Sequence, residues 1–235
     1  MPQKLSCEVT DVIDHGQRVY SVVLKPDRQA PRFSPGQFLH LALDAYRPGD
    51  FWPDSRVFSI ASPPTQRDQL RITYAVKGSF TARMEAELAV GREVWAKMPY
   101  GEFIIAGDAD VCLIAGGTGI TAFTAYLAGL SAGHAQQIDV VYGARAPSLL
   151  AYRQVVEAAA ARCPRLRAHF FAEEGVNGSG CEPGRLDLDT IGGRIRNPPS
   201  VIYYLSGPPA MLAALQRQLA ERGVEPGRVQ VDAWE

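Results

Sequence analysis

Two rhythms of hydrophobicity, changing over near residue 106, limit this chain to a small set of architectures. Before the change, apolar residues fall in brief strand-like runs: Leu5 to Ile13, Arg18 to Lys25, Phe38 to Leu43, Val57 to Ala61, Leu70 to Val76 and Glu93 to Lys97. Turn clusters such as Ser34-Pro35-Gly36 and Ser62-Pro63-Pro64 separate them. Six such runs with one helix, over Thr81 to Ala89 and N-capped by Thr81, predict a small antiparallel β-barrel. After the change, buried strand and helix alternate. Val111 to Ala115, Ile138 to Tyr142, Ala168 to Ala172 and Val201 to Leu205 read as strands; Ile120 to Leu130, Leu149 to Arg162 and Pro208 to Arg222 read as helices. That alternation predicts a doubly wound parallel sheet. The Gly- and acid-rich stretch Glu173 to Gly184 reads as an exposed loop. The expected organisation is therefore a barrel domain over residues 1–106 and an α/β domain over residues 107–235.

A chain of 235 residues is long enough for two domains of ordinary size, each with its own core. A formal net charge of −1 offers no field to attract nucleic acid or an anionic membrane, so neither is expected as a partner. Cys7, Cys112, Cys163 and Cys181 are far apart and form no C-x-x-C pair, and the four histidines have no metal-ligand spacing. No metal is expected, and redox chemistry would need an organic cofactor or a partner. The first residues contain no leader-like apolar stretch, and no run approaches the roughly 20 apolar residues that span a bilayer. The expected setting is cytoplasmic.

Gly116-Gly117-Thr118-Gly119-Ile120-Thr121-Ala122 follows a buried strand and opens a helix, and its Gly117-x-Gly119-x-x-Ala122 subset fits a dinucleotide-binding turn. Glycines allow close backbone approach, and free amides at a helix start attract a pyrophosphate. A tight strand-to-helix turn with no ligand needs the same glycines. Ser206-Gly207-Pro208-Pro209-Ala210-Met211 is a second turn of this type, and ligands of open α/β sheets bind beyond the carboxyl ends of strands, where both turns would lie.

Five segments in order carry a family resemblance: Arg56-Val57-Phe58-Ser59, Gly78-Ser79-Phe80-Thr81, Gly116 to Thr121, Tyr142-Gly143-Ala144-Arg145 and Ser206 to Met211. From Pro35-Gly36-Gln37-Phe38 to Trp234 the chain resembles the ferredoxin-NADP reductase-like flavoproteins. The resemblance implies a flavin, FAD or alternatively FMN, held by the barrel, and NADH or NADPH bound by the α/β domain. It implies that Arg56 pairs with a flavin phosphate, Phe58 lies against the flavin, and Ser59 hydrogen-bonds near flavin N5. Val57, Ala75, Val76, Lys77, Gly78, Ser79, Phe80 and Thr81 complete the implied flavin contacts, with the helix start and the Thr81 hydroxyl receiving phosphate. Gly117, Thr118, Gly119, Thr121, Arg145, Ser206, Gly207 and Pro208 are the implied nicotinamide-nucleotide contacts. Trp234 matches the terminal aromatic that covers the flavin in relatives, and Ser206 stands where the family usually has Cys.

The implied reaction is hydride transfer from nicotinamide to flavin, with Ser59, Ser206 and Trp234 aligning the rings and no acid-base triad required. Electrons would pass to a separate protein: ferredoxin, flavodoxin or an oxygenase component. Two rivals stand beside this reading: a reductase that releases reduced free flavin, and a redox-sensing regulatory subunit without activity. For the nucleotide, Arg145 could meet a 2′-phosphate, whereas Ala172-Glu173-Glu174 puts acids where phosphate binders of the family place basic residues, which tilts the expectation towards NADH.

Overall fold

The computed structural model describes residues 1–195 and 201–232. Its contacts divide the chain into Met1–Ile104 and Ile105–Glu235.

The first unit is an antiparallel sheet of β1 (Gln3–Asp14), β2 (Val19–Pro26), β3 (Phe38–Ala42), β4 (Ser55–Ser59), β5 (Leu70–Ala75) and β6 (Glu93–Tyr100), in the order β4-β3-β6-β1-β2-β5. Its end strands are linked beyond β4 by the Ala61 N–H donating to the Arg71 carbonyl, which nearly closes a barrel. Alternation decides the interior: Leu5, Cys7 and Val9 of β1, Leu39 and Leu41 of β3, Ile72 and Tyr74 of β5, and Val94, Ala96 and Met98 of β6 share one core. Phe80 and Met84 of the single helix, α1 (Ser79–Glu87), cap that core. The helix starts ahead of the expected Thr81. Gly78 is its N-cap, with an extended backbone, and Thr81 sits in the first turn, its hydroxyl accepting from the N–H groups of Lys77 (2.9 Å) and Gly78 (3.1 Å). A threonine at the third helical position reaching back to the cap N–H plays the part that Glu or Gln plays at that position in a capping box.

The second unit is a parallel sheet in the order β10-β9-β8-β7-β11-β12, formed by β7 (Val111–Gly116), β8 (Ile138–Ala144), β9 (Leu166–Ala172), β10 (Glu182–Pro183), β11 (Ile202–Ser206) and β12 (Val229–Asp232). The helices are α2 (Thr121–Gly129), α3 (Arg153–Arg162), α4 (Leu188–Ile191) and α5 (Pro209–Glu221). The α4 and α5 side chains Leu188, Ile191, Leu212, Leu215 and Leu219 pack with Cys112, Ile114, Tyr203 and Leu205. Strands buried throughout, such as β7, show the continuous apolar pattern of a sheet covered on both faces. The strand sequence reverses between β7 and β11, which makes their carboxyl ends the switch point of the fold.

Several local details differ from the sequence reading. The expected loop Glu173 to Gly184 contains β10, because Glu182 and Pro183 pair with Phe171 and Ala172. A 3₁₀ turn, Gly117–Ile120, precedes α2, and another, Pro147–Leu149, precedes α3, which starts only at Arg153. α4 and the edge strand β12 are additional elements; the Pro226-Gly227 turn precedes β12, but a run of four residues is too short for periodicity to reveal it.

Three of the four cysteines are buried and Cys181 is half-buried. Burial pushes the Cys7 thiol up to about 12 and the Cys112 thiol well above its ordinary value, so both stay protonated and unreactive at neutral pH. Iodoacetamide at pH 8 is expected to label a single cysteine, Cys181, in the native protein and all of them after denaturation; intact-mass spectrometry reads the count.

Candidate functional site

In the barrel unit, β4 and the start of α1 converge. The Arg56 guanidinium carbon lies 5.0 Å from the centroid of the Phe80 ring, and its Nη1 donates to Asp54 Oδ1 (2.6 Å) and to the Ser55 carbonyl (2.9 Å). The Arg56 side chain is half exposed. Phe58, two residues on and on the same side of the strand, packs on the core with its ring 6.3 Å from that of Tyr74. Val57 and Ser59 point to the opposite side and are half-buried; Ser59 pairs with Phe38.

The segment after β5 continues from Ala75 through Val76, whose N–H donates to the Arg18 carbonyl, to Lys77 and Gly78. Open space surrounds the position of a Cβ on Gly78, so the backbone is bare there. The first turn of α1 carries no acidic residue, and its leading N–H groups have no acceptor within the helix. With Arg56 and Lys77 beside it, this helix start has the donors and the positive potential that a phosphate requires. The Thr81 hydroxyl, by contrast, is used within the turn, accepting twice and donating to the Gly78 carbonyl at 3.1 Å.

Residues that no motif singled out hold this helix. Arg18 Nη2 meets Glu85 Oε2 at 2.5 Å and the Tyr20 hydroxyl donates to Glu85 Oε1 at 3.0 Å, while Arg83 reaches Asp44 on the other flank. Hydrogen bonding from Arg18 holds the Glu85 carboxyl below the usual carboxylate range. Gln17 and Arg18 have φ of 49° and 61°, a left-handed turn that brings the Arg18 carbonyl to Val76 and its side chain to Glu85. The pairing joins residues far apart in sequence, so no local signal announces it.

In the second unit, a crevice of about 550 Å³ opens at the carboxyl ends of the parallel strands. Gly116 and Gly117 after β7, Ala144 and Arg145 after β8, and Pro208 and Met211 after β11 line it. Gly117 has φ of 55° with free space where a Cβ would be, so the backbone there is accessible. Gly119 serves a different purpose. A Cβ on it would lie 2.4 Å from the Ser206 carbonyl oxygen, so its missing side chain lets the two glycine turns touch. Gly207, at φ of 149°, lies against Gly116 and the Met211 methyl.

Ser206 is buried, and its hydroxyl donates to Asp232 Oδ2 of β12 at 3.1 Å. Thr121 is also buried and donates to the Thr118 carbonyl at 2.9 Å. Of the expected nucleotide contacts, Gly117, Arg145 and Pro208 thus line the crevice, whereas Gly119, Thr121, Ser206 and Gly207 make contacts within the protein behind it. Arg145 Nε pairs with Glu174 Oε1 at 3.1 Å. Trp234 lies outside the described residues. Asp232 is a residue to which motif reading gave no role, and nothing local announces its contact with Ser206.

Residues 113–217 match the oxidoreductase NAD-binding domain family. A Ralstonia protein, the ferredoxin--NAD(P)(+) reductase component of naphthalene 1,2-dioxygenase/salicylate 5-hydroxylase systems, is 30% identical over 86% of this chain and 60% of its own. Over most of its length the chain is thus similar to a ferredoxin--NAD(P)(+) reductase component. The reductase component of a Pseudomonas phenol 2-monooxygenase is another relative, 29% identical over 92% of this chain and 63% of its own length. The chain therefore spans about 60% of these relatives. Among solved structures, an Amycolatopsis cytochrome P450 reductase superposes with a TM-score of 0.85 at 21% identity, covering 99% of this chain and 70% of its own. A Neisseria gonorrhoeae ferredoxin NADP+ reductase with bound FAD and NADP covers 98% of both chains with a TM-score of 0.79 at 17% identity. At these identities the likeness is one of fold.

Within this family fold, the contact between the two glycine turns is the feature most sensitive to a single methyl group. Gly119→Ala is expected to cost about 1–3 kcal/mol of stability, because backbone faces the new Cβ and cannot rotate away. Gly78→Ala, where nothing lies within 4 Å, is expected to leave the melting temperature nearly unchanged. Thermal unfolding followed by circular dichroism measures both.

Proposed function

We propose that this chain is an NAD(P)H-dependent flavoprotein oxidoreductase that delivers electrons to a separate iron-sulphur or haem protein, such as a ferredoxin or an oxygenase component. The observation that carries the proposal is the crevice at the β7/β11 switch point, bordered by an open glycine turn at a helix start, inside the region that matches the NAD-binding family. The Arg56 and α1 cluster supports a flavin, preferentially FAD. Its donors are the Arg56 guanidinium, Lys77 and a helix start whose first turn holds no acidic residue, a donor set suited to a phosphate or pyrophosphate.

A bound flavin supplies a two-electron acceptor for nicotinamide that can release its electrons singly. The protein's own part is binding and alignment. Arg56 turns from Asp54 towards phosphate, and the first-turn amides of α1 complete that grip. Phe58 offers an aromatic surface and Ser59 a hydroxyl for the flavin ring. Gly117 admits the dinucleotide backbone, and Pro208 and Met211 give the crevice an apolar wall. Ser206, held by Asp232 and paired with Ala115, fixes the end of β11 behind the crevice. Trp234 is assigned the aligning role that the resemblance implies. Among the described residues no helix is long and apolar enough to cross a membrane, and the four unpaired cysteines fit a reducing, cytoplasmic setting.

The test is anaerobic stopped-flow spectroscopy on purified, flavin-loaded protein. Bleaching of the flavin band by NADH or NADPH is expected, with yellow colour retained through gel filtration. Absence of bleaching would favour a regulatory subunit, and loss of flavin on the column would favour a free-flavin reductase. Arg56→Ala is expected to weaken flavin affinity about tenfold or more, since charge-assisted hydrogen bonds are among the stronger polar contacts; flavin fluorescence quenching reads it directly.

A further inference from the structure

We propose that Glu182, Arg194 and His169 form a proton-sensitive latch on the crevice wall Gly184–Asp187, engaged while His169 is neutral and released when it takes up a proton, so that nucleotide affinity falls in mild acid. The proposal rests on the nicotinamide-nucleotide reading of the crevice and adds to it the groups that hold one wall in place.

The wall belongs to a strap that leaves the sheet after β10. Gly184, Arg185, Leu186 and Asp187 line the crevice, and Leu186 lies over Gly143 at the end of β8, with its Cγ 2.6 Å from where a Cβ would be. Past the wall the strap is secured by apolar burial, since Leu188 and Ile191 of α4 share a core with Leu215 and Leu219 of α5. At its other end it has only β10, two residues long, and the Gly184 N–H donating to the Ala172 carbonyl at 3.0 Å. A ladder this short opens readily by itself.

Charge supplies the missing restraint. Arg194, in the 3₁₀ turn Gly192–Arg194 that follows α4, turns back on Glu182, its Nε 3.0 Å from Oε1 and 3.1 Å from Oε2. The Arg194 carbonyl accepts from Arg167 Nη2 at 2.9 Å, and Arg167 Nε donates at 3.0 Å to Oδ1 of Asp139, a carboxylate buried in β8. The two ends of the strap are thereby tied to each other and to the sheet. His169, on the same side of β9 as Arg167, places Nδ1 3.7 Å from Glu182 Oε1, while its Nε2 is buried with no hydrogen-bond partner among the described residues.

The charged groups facing His169 are Asp139 of β8, Arg167 of β9, Glu182 of β10 and Arg194 of the 3₁₀ turn, and they sum to zero. A proton on the imidazole adds an unbalanced charge and a buried Nε2–H without an acceptor. Burial, and after it the two arginines, hold His169 below its ordinary value of 6.5 against the pull of Glu182 and Asp139. Hydrogen bonding from Arg194 holds the Glu182 carboxyl below the usual carboxylate range, so Glu182 stays ionised while His169 titrates. A base whose pKa is lowered in the closed form takes its proton preferentially in the open one. The latch is therefore fully engaged above pH 6.5 and is lost as pH falls below it.

The test compares the full chain at about pH 7.5 and about pH 5.5, on either side of the ordinary histidine value. Hydrogen–deuterium exchange of residues 182–191, corrected for the intrinsic effect of pH on exchange, reads the strap. Isothermal titration calorimetry with NAD⁺, whose charge is constant over this interval, reads the crevice. At the lower pH the wild type is expected to exchange this segment about threefold faster or more and to bind NAD⁺ about threefold more weakly or more. His169→Gln is expected to flatten both profiles. Arg194→Ala is expected to exchange fast and bind weakly at both pH values, and Arg194→Lys, which keeps the charge, to recover part of the loss; circular dichroism checks that each variant is folded. Wild-type exchange that ignores pH, or a His169→Gln profile as steep as that of the wild type, would overturn the latch. Exchange that responds to pH while NAD⁺ affinity does not would overturn its coupling to the crevice. If the folded wild type binds no NAD⁺ at either pH, the nucleotide reading itself fails and the coupling with it, and the exchange profiles decide separately whether the latch exists.

Discussion

The whole crevice of the second unit depends on a missing methyl group. Where strand order reverses, β7 and β11 run side by side with Ser206 opposite Ala115, and the turns that follow them meet at Gly119 and the Ser206 carbonyl. An ordinary Cβ at position 119 would lie well inside contact distance of that backbone, so the turns could abut only by shifting a strand. Their close approach fixes the direction in which α2 and α5 leave the sheet, and those departures frame the opening. The glycines of one turn thus divide the labour: Gly119 makes room for protein, and Gly117 leaves room for a ligand.

The barrel unit solves the corresponding problem by charge more than by apolar packing. α1 has nine residues and buries only Phe80 and Met84, too small a face to hold a short helix firmly by itself. Arg18, Tyr20 and Glu85 on one flank, with Asp44, Arg83 and Glu87 on the other, supply the remaining restraints. The helix start that meets Arg56 is consequently oriented by ion pairs reaching it from a strained hairpin and a distant loop. Polar restraints of this kind leave the start of the helix open to solvent.

A similar logic runs through the second unit. Ser206 and Asp232 are brought together because β12 pairs in parallel with β11, and Arg145 faces Glu174 because the β8–β9 ladder runs on past its last regular pair. In both cases a hydrogen-bonded backbone register sets side-chain chemistry, and the functional consequence is a buried hydroxyl in one place and a neutralised cation in the other.

The alternation of Leu5, Cys7 and Val9, the all-apolar Val111 to Ala115 and the helical spacing of Met211, Leu215 and Leu219 made the two architectures legible in the amino-acid order, since each reflects which way successive side chains point along one element. The glycine turns and the Arg56 strand were legible for the same reason: their chemistry lies within a few consecutive residues. Helix starts were less so, because Gly78 and Thr81 can each begin a helix and only the hydrogen bonds of Thr81 choose between them. β12, the Ser206–Asp232 contact, the Arg18–Glu85 clasp and the Arg145–Glu174 pair were decided by tertiary structure alone. Each joins residues whose separation along the chain carries no information about their distance in space, and strand order and register, which are collective properties of the folded sheets, bring them together.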